Sequence, residues 1–483
     1  MPGCTSCLSS DMSFQSLSFL VFLAVSVLTC TAVGRKSMWA ARLLLVAACL
    51  LFCLWSGPAG FLVLCAGVFV TAWAVQHLAG EGPHRRRWLA AACGYHIAVL
   101  VAFKYTGFLT GGAASMGWVP IGLSFFTFQQ LWLLKECYTR QYVPAQGDDL
   151  ILYAFFFPSL TSGPILRPSD FFPQLKGETF LHPDGQDVSA ALYAICMGMA
   201  KKVLLADSLG VVVSNGWAMA DTLSAPGAWL VMLAYTLQLY LDFSGYCDIA
   251  AGCARLLGIR LPANFDSPYR ALSVGEFWRR WHITLTTFLR ECLYFPLGGS
   301  RKGRGRTYLN ILIIYLVSGI WHGAGWTFLV WGALHGLAQI VERAWGEKRD
   351  RLPKAGRWLL TFFFVNLAWV FFRAPSLAEA GTLLSAAVSG GWGLPLEALA
   401  AGVLDSEVTT IGTLLPMLTR FMPGLVLAAL LAIGLAVSLW PQNTIRNMET
   451  FRPGWGGAVG CGVLLAWAVL SFSSVATFIY SNF

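Results

Sequence analysis

Long runs of apolar residues recur along most of this 483-residue sequence, and they restrict its fold to one class. A helix that spans a bilayer needs about 20 mostly apolar residues. Only 12% of the residues are charged, whereas soluble domains average about 25%. The sequence therefore predicts an all-α polytopic membrane protein with about 11 to 13 membrane helices, some of them re-entrant. The predicted spans are 14–33, 38–55, 61–77, 88–109, 121–138, 150–160, 190–213, 229–246, 309–323, 326–341, 359–372, 425–440 and 459–477.

The distribution of charge predicts how these spans are oriented. The net charge is +9, and the basic residues cluster between apolar runs, as at 84–87 and 343–357. Cytoplasmic loops of membrane proteins carry an excess of Lys and Arg, which accounts for this charge without a nucleic-acid partner. The loop 374–419 has no Lys or Arg, so we expect it outside the cytoplasm, together with the N-terminus and the final residues. We divide the chain into N-terminal helices (1–89), a central core (90–373) and a loop with C-terminal helices (374–483).

Metal chemistry is not predicted. Cys4 and Cys7 form a single Cys-x-x-Cys pair with no second pair, and most of the other cysteines lie in apolar runs, where they act as small hydrophobic residues.

Irregular, polar backbone is concentrated in the middle third of the chain, which predicts a cavity there. Two prolines and a glycine prevent a regular helix through the segment 158–167, which is either a surface loop or a re-entrant element that lines a site. Asp242 and Asp248 lie six residues apart at the end of the predicted span 229–246 and do not share a helix face. We expect Asp242 and Ser244 to orient neighbouring groups or to pair with one of the many arginines.

A cationic and aromatic cluster precedes the most unusual histidine of the sequence. Arg279, Arg280, Trp281 and His282 are consecutive, and a basic, glycine-rich loop that contains Arg301 and Lys302 follows at 298–306. Arginines beside aromatic rings suit a phosphorylated carrier such as coenzyme A or a phosphopantetheine arm. The loop lacks the spacing of a P-loop.

His322 lies inside the apolar run IYLVSGIWHGAGWTFLVWG, between Trp321 and Gly323. An ionisable residue at membrane depth is costly and commonly functional. The small residues beside it let another group approach, and a neutral imidazole can take the proton of a hydroxyl. A satisfied structural imidazole is the alternative. His335, thirteen residues on, is a weaker candidate for a direct role.

The segment FWRRWHITLTTFLRECLYFPLGGSRKG, followed by LVSGIWHGAGWTFLVWGALHG, resembles the signature of membrane-bound O-acyltransferases. The similarity extends to SGPILRPSDFFPQL (162–175), YLDFSGYCDIAAGCARLLGI (240–259) and NFDSPYRALSVGEFW (264–278), and it is strongest to the branch that O-acetylates alginate. It implies a helical bundle with a central funnel, with His322 deep inside and His282 as the second family histidine. The ending FIYSNF resembles a motif in which a tyrosine, here Tyr480, carries the acyl group; an aromatic anchor at the membrane interface is the alternative.

These observations predict an acetyltransferase of the bacterial inner membrane that takes acetyl from a cytoplasmic thioester, acetyl-CoA or an acyl carrier, with no bound cofactor. The acceptor is an exported polysaccharide, reached through an esterase-like periplasmic partner of the SGNH class, and membrane lipid surrounds the protein. The candidate catalytic residues are His322, His282 and Tyr480. The candidate binding residues are Arg279, Arg280, Trp281, Asn264, Asp242, Ser244, Trp321, Arg301 and Lys302. D-alanyl or other acyl transfer to teichoic acid, lipid or protein is the alternative within enzymes, and a transporter or channel is the alternative outside them.

Overall fold

The protein is entirely helical in the part that the structure describes. A computed structural model describes residues 13–142, 147–472 and 479. Cys4, Cys7 and Tyr480 therefore lie outside the described residues. Within these ranges all regular elements are helices, which confirms the predicted all-α polytopic class.

The α-helices fall into three groups along the chain. The first group is α1 (Leu17–Gly34), α2 (Met38–Ser56), α3 (Pro58–Ala79), α4 (Arg85–Leu100), α5 (Thr106–Leu109), α6 (Leu123–Tyr138), α7 (Gly147–Phe155), α8 (Phe157–Leu160) and α9 (Pro168–Phe171). The second is α10 (Gly185–Met199), α11 (Asp207–Ala218), α12 (Ala225–Leu256), α13 (Val274–Arg280), α14 (Ile283–Leu289), α15 (Arg304–His322), α16 (Trp326–Trp345) and α17 (Lys354–Arg373). The third is α18 (Leu377–Ser389), α19 (Leu396–Ala400), α20 (Asp405–Leu414), α21 (Met422–Leu439), α22 (Thr444–Thr450) and α23 (Trp455–Leu470).

Seven helices of the described chain are long and apolar enough to cross a bilayer, fewer than the predicted 11 to 13. They are Leu17–Gly34, Met38–Ser56, Pro58–Ala79, Arg85–Leu109, Gly185–Ala218, Lys354–Arg373 and Pro416–Leu439. The difference has a physical reason. The helices α12, α15 and α16 are long enough, but they bury polar residues such as Asp242, His322 and His335. The described helices at the predicted spans 121–138, 150–160 and 459–477 have only 16, 9 and 16 residues.

The centre of the molecule is α12, and it is longer than predicted. It runs for 32 residues and is buried along almost its whole length. It packs against α10 and α11, and glycines let the backbones approach closely. A Cβ atom on Gly198 would lie 2.6 Å from the carbonyl oxygen of Gly245, and one on Gly252 would lie 2.7 Å from that of Ala191. Small residues serve this purpose in membrane helix packing.

Buried ion pairs explain why α12 does not end at its carboxylates. Lys201 and Lys202 lie on a π-helical turn, Ala200–Ala206, that joins α10 to α11. The Lys201 Nζ lies 2.7 Å from Asp248, and the Lys202 Nζ lies 2.7 Å from Asp242. The expectation that Asp242 pairs with an arginine is therefore wrong, because the partner is a lysine of the neighbouring helix. Buried charges persist when they are paired in this way.

Candidate active site

The hairpin of α15 and α16 places His322 in the protein interior. The two helices pack so closely that side chains are excluded from their contact. A Cβ atom on Gly319 would lie 2.4 Å from the carbonyl oxygen of Phe328, and one on Gly332 would lie 2.3 Å from that of Tyr315. His322 is the last residue of α15 and is 1% exposed. The glycines that surround it in sequence therefore set the position of the helix end that carries the imidazole.

His282 reaches the same place from a sharp reversal of the chain. Helix α13 ends at Arg280, and α14 begins at Ile283. Between them His282 has a φ of +44°, in the left-handed region that costs a non-glycine residue of order 1–3 kcal/mol. Backbone strain of this kind is common at functional sites. The reversal turns the imidazole inward, so that it is fully buried.

The two imidazoles form one site. Their ring centroids are 6.3 Å apart, with an angle of 57° between the planes. The arginines before His282 predict a position near the cytoplasmic entrance of a route across the bilayer, with His322 farther in. The structure instead brings the two histidines together. We call this arrangement the histidine pair, His282 and His322. Aromatic rings within 6.2 Å surround it, namely Phe125, Phe243, Trp321, Trp331 and Phe372.

Asn264 determines the orientation of His282. The backbone N–H and the hydroxyl of Thr284 donate to the Asn264 Oδ1, at 3.2 and 2.9 Å, so this atom must be the amide oxygen. The His282 Nδ1 lies 3.1 Å from the same oxygen and can contact it favourably only as a donor. The proton of neutral His282 is thus on Nδ1, which leaves Nε2 as the basic nitrogen. Asn264 is 1% exposed.

His335 lies beside the histidine pair, next to the rings of Trp278 and Trp331. The indole N–H of Trp278 donates to the His335 Nδ1 at 3.1 Å. The ring of Trp331 lies between the two histidines, 5.1 Å from His322 and 5.0 Å from His335. His335 therefore supports the wall of the site, and this geometry does not favour the direct role left open from sequence.

The segment 158–167 is a buried element and not a surface loop. Helix α8 and the residues after it lie in the interior, and the Ile165 N–H donates to the hydroxyl of Thr284 at 3.1 Å. Arg167 pairs with the fully buried Glu136 at 2.8 Å. The segment therefore stabilises α14, the helix that begins just after His282.

Asp242 connects the chain end with this centre. It is followed by Phe243, whose ring packs edge-on against His282 at 4.9 Å. The backbone N–H of Ile479 donates to the Asp242 Oδ2 at 3.0 Å.

Ser244 and Asn264 line a small cavity of about 10 Å³ together with Lys201. A space of this size holds about one water molecule.

The cationic candidates do not assemble into a single pocket with His282. Arg279 is exposed, and Arg280 binds Glu276 at 2.9 Å at the surface. Trp281, in contrast, is fully buried. Arg301 and Lys302 are exposed in the loop before α15. The chain reverses at His282, and this reversal separates the arginines from the imidazole.

The length of α15 gives the distance between the basic loop and the histidine pair. Arg304 and His322 begin and end this helix of 19 residues, which at 1.5 Å per residue places them about 27 Å apart. That length is close to the thickness of a hydrocarbon core, about 30 Å.

Among the described residues no group of three or more His, Cys, Asp or Glu side chains could hold a metal ion. The histidine pair can accept the proton of a hydroxyl inside walls that exclude water.

Two features of the site were not identified from the sequence. One is Lys104, whose Nζ donates to the carbonyl oxygen of Trp321 at 2.5 Å. The other is the pair of lysines, Lys201 and Lys202, that neutralise the carboxylates of α12. The one available signal was a charged residue inside an apolar run, which is costly at membrane depth.

Comparison with known proteins identifies the family of this chain. The profile of the membrane-bound O-acyltransferase family matches residues 147–378. The chain is 37% identical over 351 residues to a peptidoglycan O-acetyltransferase of Helicobacter pylori, which covers 65% of this chain and 66%, about two thirds, of that protein. It is 37% identical over 373 residues to a probable alginate O-acetylase AlgI of Pseudomonas putida, with 73% of this chain and 76% of that protein covered.

A more distant relative is named for a different activity. A teichoic acid D-alanyltransferase of Streptococcus thermophilus is 28% identical over 250 residues, or 48% of this chain and 59% of that protein. The chain therefore belongs to the membrane-bound O-acyltransferase family, and it is a multi-pass membrane protein with O-acyltransferase activity.

Proposed function

We propose that this enzyme O-acetylates an exported polysaccharide, and that its acetyl group comes from a cytoplasmic thioester. The observation that carries the proposal is the buried histidine pair. It lies at the C-terminal end of α15, and the basic loop lies about 27 Å away at the N-terminal end of the same helix. By the charge bias of membrane proteins this loop is cytoplasmic. The donor then binds at one side of the membrane, and the chemistry takes place nearer the other side. The location that fits is the cytoplasmic membrane of a bacterium.

The reaction follows from the groups that meet at the site. A nitrogen of His322 accepts the proton of the attacking hydroxyl as its oxygen bonds to the acetyl carbon. The carbon–sulfur bond of the thioester breaks, and the proton passes to the departing sulfur to give a free thiol. Such general base catalysis contributes about 10²–10⁴-fold to a rate. His282, with its proton on Nδ1 toward Asn264, presents Nε2 as the second basic nitrogen of the pair.

The donor and the partner are parts of the same proposal. Arg301 and Lys302, both exposed in the basic loop, provide charge for the phosphates of coenzyme A or of a carrier's phosphopantetheine. Arg279 adds a further exposed cation. At the outer face, an esterase-like partner would pass the acetyl group to the polysaccharide. The relatives named for O-acetylation support acetyl over D-alanyl as the group transferred, because they are more similar to this chain.

Sealed membrane vesicles test the donor and the direction. Vesicles with the cytoplasmic face outward receive labelled acetyl-CoA, labelled acetyl carrier protein or labelled D-alanyl carrier protein, and contain the polysaccharide and the partner. We expect acetyl label inside the vesicles, and none from vesicles of the opposite orientation. Label from D-alanyl donor alone would replace the proposed substrate by D-alanine. No transfer from any donor by normally abundant protein would contradict transfer across the membrane.

We propose that the hydroxyl of Tyr480 is the first acceptor of the acetyl group. We expect Tyr480→Phe to abolish both transfer to polysaccharide and a covalent acetyl label on the protein trapped by acid. The reason is that phenylalanine retains the aromatic ring but lacks the oxygen that would bond to the acetyl carbon. Tyr294→Phe, in the π-helical turn Arg290–Tyr294, is the matched control. Equal labelling of the Tyr480→Phe protein and the control would assign the tail an anchoring role only.

A further inference from the structure

Lys104 is a membrane-embedded lysine that the reaction described above does not use. It lies in a π-helical turn, Val101–Tyr105, near the end of the span Arg85–Leu109. Its Nζ donates to the carbonyl oxygen of Trp321 at 2.5 Å and to the hydroxyl of Ser124 at 3.1 Å, and it lies 3.5 Å from the carbonyl oxygen of His322. No carboxylate pairs with it among the residues that the structure describes. Its amino group therefore points inward, to the end of α15.

The neighbouring residue binds the same helix end. The hydroxyl of Tyr105 donates to the carbonyl oxygen of Ile320 at 2.8 Å. The last four carbonyls of an α-helix have no partner within the helix. In α15 the first of these, that of Gly319, accepts from the N–H of Gly323 at 3.2 Å. Lys104 and Tyr105 supply donors to the remaining three, those of residues 320, 321 and 322.

A second connection fixes the side of the helix end that faces α6. The indole N–H of Trp321 donates to the backbone oxygen of Ser124 at 3.2 Å, while the Ser124 hydroxyl accepts from Lys104. Trp321 is thus bound through its carbonyl and its ring to two different helices. Its ring also packs 6.0 Å from His282, in the wall of the histidine pair. A shift of Trp321 would move both sides of the site.

The chemistry of the position favours a function over simple packing. A lysine near a membrane surface usually extends its amino group toward the headgroups, and an uncharged side chain would fill an interior position without the cost of burying a charge. Here the ammonium is directed at the negative end of a helix dipole, where a cation is stabilised. π-Helical turns are also frequent at functional sites.

We propose that Lys104 is a positioning residue for His322, and that Lys104 and Tyr105 together hold the last turn of α15 so that the imidazole meets the acyl group. The inference rests on the proposed role of His322. A displacement of about 1 Å in a catalytic group can reduce a rate about 100-fold. Loss of the Lys104 ammonium should therefore reduce kcat and leave donor binding, at the distant basic loop, unchanged.

The first experiment compares steady-state kinetics of purified Lys104→Met, Ser124→Ala and His322→Ala proteins in lipid. We expect Lys104→Met to reduce kcat about 100-fold, with the donor KM within about twofold of wild type. Ser124→Ala removes a ligand of Lys104 but keeps both carbonyl contacts, so its kcat should stay within about threefold. If Lys104→Met keeps the wild-type kcat while His322→Ala is inactive, the inference is overturned. Full activity of His322→Ala instead overturns the proposed function.

The second experiment separates positioning by charge from general structural damage. Lys104→Ala leaves space for a small amine, and we expect propylamine to restore kcat at least about tenfold, because an ammonium at this point again binds the carbonyls of α15. Propan-1-ol has a similar shape without the charge, and it should restore nothing. Equal effects of the two molecules, or no effect of either on folded Lys104→Ala protein, overturn the inference.

Discussion

Replacement of His322 by alanine is expected to reduce acetyl transfer by at least about 100-fold, the lower end of what a general base contributes. The imidazole is 1% exposed and lies 6.3 Å from His282 between ring centroids, so the substitution removes one of the two basic groups of the histidine pair. Its helix end is fixed by the Gly319–Gly332 contact, and removal of the ring should leave the fold intact. The measurement is acetylation of the polysaccharide in cells, with the amount of protein in the membrane quantified alongside.

The matched control for this variant is His182→Ala, because His182 is an exposed histidine outside the site. It should retain transfer at the wild-type level. If the two variants acetylate equally well at equal abundance, His322 has only a structural role, and the assignment of the histidine pair as the catalytic centre is wrong.

The second large effect is expected from Asn264→Leu. Leucine has the same branched shape but no oxygen, so the buried Thr284 N–H loses its acceptor, at a cost of about 1–3 kcal/mol in the free energy of unfolding. His282 also loses the acceptor that fixes its proton on Nδ1. Activity should therefore fall further than stability alone accounts for. Transfer rates and thermal unfolding of the purified protein measure the two effects separately.

Two further variants serve as comparisons for Asn264→Leu. Asn264→Asp retains an acceptor oxygen of the same geometry, and we expect it to recover most of the stability and part of the transfer rate. Asn447→Leu removes a partly buried amide that donates to Tyr193 at 3.2 Å, far from the histidines in sequence. An Asn264→Leu protein as stable and as active as Asn447→Leu would show that the Asn264 hydrogen bonds do not orient His282.

Local sequence was sufficient to find His322 but not the arrangement around it. An imidazole among tryptophan and glycines inside an apolar run is unusual in itself, and the structure places it at a buried helix end. The position of His282 depends on a left-handed residue and on a bond to Asn264, 18 residues earlier. Nothing in the motif that contains Arg279 and Arg280 indicates that reversal, so the arginines were grouped with the histidine.

Long-range partners also explain the misplaced helix boundary and the missed lysine. Asp242 and Asp248 suggested the end of a membrane helix, because their lysine partners lie on another helix that cannot be paired with α12 from sequence. Lys104 contacts a carbonyl 217 residues away, so its role depends on the tertiary fold. The division of the chain at residues 89 and 373 stays a prediction.

The glycine contact between α15 and α16 has a consequence for the choice of acyl group. Along this contact backbone lies against backbone, and a Cβ atom at Gly332 would lie 2.3 Å from the carbonyl oxygen of Tyr315. The contact itself therefore offers no side chain that could be shortened to make room. The rings of Phe125 and Phe243, which pack against His282, are side chains whose volume can vary. Engineering this enzyme to transfer longer chains than acetyl should therefore begin with those two phenylalanines.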